Sequence, residues 1–133
     1  MDRLRRSFAT SERLHTHIDA FYRLGSMYLV CNGNLLYHAS MPLDASGQLK
    51  AVRVLDSKPL RGRALLDEID RVVRLAHPSR HSHPKHEAAV DYIFYLWCGP
   101  DSPLFDKSAM TTFERYFVAD KNTHTETKGY YFK

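Results

Sequence analysis

Residues 26–40 read SMYLVCNGNLLYHAS, and the pair Asn32-Gly33 at their centre decides the architecture. Two short apolar, β-prone runs flank that pair. A type I′ turn needs positive φ at both central residues, and Asn-Gly is the dipeptide that tolerates it most readily. The spacing therefore predicts antiparallel strands at about 26–31 and 34–39. His38 falls near the end of the second strand, before the Met41-Pro42 turn. Two readings of His38 are open: an imidazole satisfied in the core, or one delivered to a metal at a strand end. Composition does not choose between them.

Upstream, Leu4, Phe8, Leu14, Ile18, Phe21 and Tyr22 recur at helical spacing, and Gly25 acts as a stop. This predicts an amphipathic helix over 5–24, breaking near Thr10-Ser11, where Ser11 can cap a second segment. Downstream, Asp44-Ala45-Ser46-Gly47 is a turn. Residues 49–54 alternate imperfectly and predict a further strand, so that 26–54 forms a hairpin and strand. Residues 62–99 predict helices. In the first, Leu65, Leu66, Ile69, Val72, Val73 and Ala76 form one stripe, with Arg63, Asp67, Asp70, Arg71 and Arg74 outside. A His/Pro loop at 77–86 follows. The next helix is apolar on most sides from Val90 to Trp97, which predicts deep burial. Residues 100–133 predict a loop, a short helix and a tail. The fold class is α+β: an antiparallel β-hairpin or small sheet packed with three to four helices.

The chain has 133 residues, enough for one domain with a core. A chain of this length buries roughly two-thirds of its unfolded surface. The net charge is +4, with no long basic run. That balance suits a phosphate ester, and no aromatic-basic platform for nucleic acid accompanies it. Cys31 and Cys98 lie in apolar runs and are expected as buried free thiols in a reducing compartment. No apolar run is long enough to span a bilayer, and the N-terminus lacks a signal core, so the expected location is cytoplasmic.

Other constellations carry less chemistry. His77, His81, His83 and His86 crowd one loop, but Pro78 and Pro84 break their spacing and no cysteine accompanies them. A solvated loop is the expectation. Asp67, Glu68 and Asp70 sit among arginines and predict a salt-bridged helix face. No Gly-rich phosphate loop, Gly-x-Ser-x-Gly elbow or Cys-x-x-Cys occurs.

Longer stretches say more. GSMYLVCNGNLLYHASMPLDASGQLKAV (25–52), GRALLDEID (62–70), YLWCGPDSPLFDKSAMTTFERYFVADKNTHTETK (95–128) and Tyr130-Tyr131 resemble, in order, the class III fructose-1,6-bisphosphatases of bacteria. The resemblance covers about residues 7–131. It implies part of a calcineurin-like metallophosphatase α/β sandwich. It also implies an enzyme that hydrolyses fructose 1,6-bisphosphate in gluconeogenesis with two metal ions, usually manganese. One metal ligand carries over, His38; the family usually follows it with Gly, where this chain has Ala39. Arg115 and Lys107 are candidates for the substrate phosphates, with ion pairs to neighbouring carboxylates as the competing reading.

The blocks Gly-Asp-x-His-Gly, Gly-Asp-x-x-Asp-Arg-Gly and Gly-Asn-His-Asp of those longer enzymes do not occur here. A two-metal hydrolase needs both ions, and one imidazole does not assemble them. The chain is thus expected to be a fragment or truncated homologue, inactive alone and without a metal of its own. Its partners would be the missing parts of the enzyme or a second copy, with no nucleic acid or membrane. The alternative is a non-catalytic binding module derived from the same family.

Overall fold

The Asn32-Gly33 turn forms with positive φ at both residues, 51° and 74°, in the computed structural model of the protein. It joins β1 (Tyr28–Cys31) to β2 (Asn34–Tyr37) in antiparallel register, Tyr28 facing Tyr37 and Cys31 facing Asn34. The structure describes residues 1–110, 114–120 and 127–132, without the side chains of Glu114, Arg115 and Phe132. Before the hairpin stand α1 (Asp2–Ala9) and α2 (Glu12–Leu24). The expected break at Thr10-Ser11 is present. The Ser11 hydroxyl accepts from the Leu14 N–H at 3.3 Å, and so caps α2. After the hairpin come α3 (Gly62–Leu75), a 3₁₀ turn (Pro78–Arg80), α4 (His86–Cys98), the single turn α5 (Glu114–Phe117) and a 3₁₀ turn at Tyr130–Phe132. The fold is α+β, as the sequence predicts.

The core is the seam between α3 and α4. Leu65, Leu66, Ile69 and Val72 of α3 are buried, as are Ala89, Tyr92 and Leu96 of α4. Val54 closes the cluster from the connecting loop. On the outer face of α3, Arg63 pairs with Asp67, Arg71 with Glu68 and Arg74 with Asp70. These are one-turn neighbours, the geometry in which helix charges pair. Tyr28 of the hairpin reaches α3. Its hydroxyl donates to Asp67 at 2.8 Å, and Arg63 lies over its ring.

Four features depart from expectation. Residues 49–54 form no strand; they make isolated bridges, Leu43 to Leu49 and Val52 to Leu60. Neither face of that stretch is wholly apolar, so burial does not fix a register. Cys31 is exposed, whereas Cys98 is buried, and both thiols are free. The helix over Val90–Trp97 is buried on one side only. Phe94 and Trp97 are 63% and 60% exposed. The stripe on α1 and α2 likewise buries no residue.

Candidate functional site

His38 is the first residue after β2, and its position is set by its neighbours on both sides. On the N-terminal side, the Tyr37 hydroxyl meets the Tyr131 hydroxyl at 2.8 Å. On the C-terminal side, three donors converge on one acceptor. The carbonyl of Pro103 accepts from the N–H of Ala39 at 3.0 Å, the N–H of Ser40 at 2.9 Å and the Ser40 hydroxyl at 3.1 Å. Ser40 and Pro103 are themselves fully buried. Ala39 is accommodated in this clamp and joined to His38 by a cis peptide bond.

The imidazole itself is exposed and makes no hydrogen bond to the described residues. It borders an open hollow of about 450 Å³ with Met27, Tyr28, Leu36 and Leu104. This excludes the core reading of His38: the ring is neither buried nor spent on a carbonyl. A fixed backbone with a free ring nitrogen is what a ligand position requires.

The loop supplying Pro103 is itself pinned. Ser102 is buried, and its hydroxyl donates to the Leu96 carbonyl at 2.6 Å. Asp106 is buried too; its carboxylate accepts from the Tyr131 N–H at 3.0 Å, and its carbonyl from the Gly129 N–H at 2.5 Å. Asp106 thereby seats the tail that carries Tyr131. Sequence reasoning missed Ser40, Pro103, Asp106 and Gly129. The aromatic Tyr130-Tyr131 close was the signal that the tail docks on its own domain.

Lys107 leaves the same loop. Its carbonyl accepts from the Asp101 N–H at 2.8 Å, its backbone bridges to Lys128, and its ammonium lies 5.6 Å from the Phe105 ring centroid. Arg115 belongs to the backbone of α5, and its side chain lies outside the described residues.

The loop histidines are structural. His77 bridges Asp19 and Ser79, each at 2.8 Å. His81 donates to the Pro78 carbonyl, His83 accepts from the Lys85 N–H, and His86 reaches the Leu75 carbonyl at 2.9 Å. Among the described residues, no group of three or more His, Cys, Asp or Glu is placed to hold a metal ion. His38 on its own supplies one ligand where a metal takes about four to six. The described residues alone do not fit a metal centre. Nor is any helix among them long and apolar enough to cross a membrane.

Comparison with known proteins shows the family of the chain. The chain is 56% identical over 132 residues to a class 3 fructose-1,6-bisphosphatase of Porphyromonas gingivalis, covering 99% of this chain and 20% of that protein. It is 50% identical over 132 residues to the class 3 enzyme of Bacteroides fragilis, with the same coverage. With that of Clostridium botulinum it shares 48% over all 133 residues, again 20% of the relative. The chain therefore spans about one fifth of the length of these relatives. No solved structure matches it. The Firmicute fructose-1,6-bisphosphatase family model matches residues 1–133 from end to end, and the chain belongs to that family.

Proposed function

We propose that this chain acts as one segment of a class 3 fructose-1,6-bisphosphatase and presents His38 to a metal-dependent phosphatase centre. The remaining ligands come from other segments. The observation that carries this is the exposed imidazole on a backbone held from both sides, by Tyr131 and by the Pro103 carbonyl. The reaction is hydrolysis of fructose 1,6-bisphosphate to fructose 6-phosphate and phosphate, in the cytoplasm, with manganese as the metal. The chain's own contribution is positional. The Asp106 and Pro103 contacts hold the ring at the strand end. Lys107 and Arg115 follow on the same side of the sequence and offer cations to the sugar phosphates. The isolated chain, with one ligand, is inactive.

The test is a chimera in which this chain replaces the matching 132 residues of the Porphyromonas gingivalis relative. It should release phosphate from fructose 1,6-bisphosphate with manganese. His38→Ala in that chimera should lower turnover at least about tenfold, the scale on which even the partners of metal ligands act. Unchanged turnover in the variant rejects the ligand role.

A second reading is a non-catalytic interaction module of the same descent. It is favoured by the exposed Phe94 and Trp97 and by the lack of a metal-donor cluster among the described residues. A chimera that folds but has no activity selects it.

A further inference from the structure

Between the C-terminal end of α2 and the α3–α4 connection lies a cleft of about 430 Å³, lined by Asp19, Tyr22, Arg23, Arg74, His77, Ser79 and Arg80. It is separate from the hollow beside His38, whose lining shares no residue with it. Its frame is built by Arg74. That guanidinium donates to the carbonyls of Tyr22 and Gly25 at the end of α2 and to the Asp70 carboxylate. The bonds to the carbonyls tie α2 to α3. His77 is committed as well, between Asp19 and Ser79, with its ring edge-on to Tyr22 at 4.9 Å. The Ser79 N–H donates to Nδ1, which leaves Nε2 facing the Asp19 carboxylate. The cleft's carboxylate is therefore already occupied.

What remains uncommitted is cationic or a donor. The guanidinium groups of Arg23 and Arg80 make no ion pair or hydrogen bond among the described residues, and both residues line the cleft. The Tyr22 hydroxyl has no partner there either. Burial raises its pKa, so it stays an O–H donor at neutral pH. Arg80 sits on the 3₁₀ turn that His77 and Pro78 stiffen, so it does not hang from a loose loop. With Arg74 paired to Asp70 and Asp19 bonded to His77, the unpaired charges lining the cleft are the guanidinium groups of Arg23 and Arg80.

We propose that this cleft binds the phosphate group of a phosphate monoester, held by Arg23 and Arg80 with the Tyr22 hydroxyl as third donor. Guanidinium forks match phosphate oxygens in pairs, and two forks with one hydroxyl suit the three terminal oxygens of a monoester dianion. The volume exceeds what a bare phosphate fills and lies in the range of about 300–1,000 Å³ of small-molecule sites, which leaves room for the organic group. The proposal is independent of the phosphatase reading, because no residue of the His38 frame takes part.

The experiment titrates the full 133-residue chain with glycerol 3-phosphate and with inorganic phosphate. Binding is followed by calorimetry and by backbone amide NMR. Saturable one-to-one binding of the ester is expected, with shifts centred on residues 19–23 and 77–80. The double variant Arg23→Ser/Arg80→Ser should weaken it at least about tenfold. The double variant Arg3→Ser/Arg6→Ser removes the same charge from α1 and should leave it unchanged, as should His38→Ala. Helical circular dichroism confirms that each variant is folded. Non-saturable binding, equal loss in the α1 variant, or binding of inorganic phosphate without the ester overturns the proposal.

Discussion

Two side-chain details hold the residues around His38, and each is open to a single substitution. The Ser40 hydroxyl is buried and donates to the Pro103 carbonyl at 3.1 Å. Ser40→Ala removes that hydrogen bond while the two N–H donors remain, so it should cost only about 1 kcal/mol in a urea titration. Gly129 is less forgiving. A Cβ there would collide with the carboxylate of the buried Asp106. Gly129→Ala should displace the tail, breaking the Tyr131–Asp106 and Tyr131–Tyr37 bonds. Amide exchange at Tyr131 should then rise to that of an exposed terminus; unchanged protection would show that the tail is held by other means. Some of this scale is legible in the sequence. Ser11 is a polar residue just ahead of a helix, and Asn32-Gly33 meets the φ demand of its own turn. Asp106 and Pro103 are not legible, because their partners lie 25 and 63 residues away and no local pattern encodes that pairing.

At the scale of the elements, the α3–α4 seam supplies the cohesion. Ile69 is fully buried between the two helices. Ile69→Ala should therefore destabilise the fold by about 2–5 kcal/mol, read from the urea midpoint. The same seam raises the pKa of Tyr92, mainly because its phenol is desolvated. A group with a raised native pKa keeps its proton while the unfolded chain releases it. Stability is thus retained below the unfolded value of about 10 and falls as pH rises past it. Tyr92→Phe should flatten that alkaline loss; an equally steep loss in the variant would point to other groups. The stripe on α3 was readable because helical period and burial agree over four turns. The strand at 49–54 misled because alternation alone implies a pairing partner, and the chain offers only isolated bridges there. The α4 reading erred differently: residues apolar on all sides show that a helix is made to be covered, not that this chain covers it.

The whole molecule exposes much of what its sequence would bury. Phe21 and Leu24 on α2, Leu29 and Leu36 on the hairpin, and Phe94 and Trp97 on α4 are all more than half exposed. Apolar surface of this extent drives association. The isolated chain should sediment as concentration-dependent oligomers, and Phe94→Lys with Trp97→Lys should shift it toward monomer while keeping its helical circular dichroism. A monomeric wild-type chain at high concentration would contradict this. Family membership was legible at this scale because long motifs carry it; the uncovered faces were not, since a sequence does not announce which of its contacts lie outside it.

The hydroxyl pair between Tyr37 and Tyr131 joins positions 94 residues apart, whereas α3 and α4 are neighbours along the chain. Closing a long loop costs more entropy than docking adjacent helices, so the helical pair organises early and this tether late. During refolding, native-like ellipticity should return before the tyrosine environment does. The imidazole of His38 would thus acquire its final bearing in the last kinetic phase.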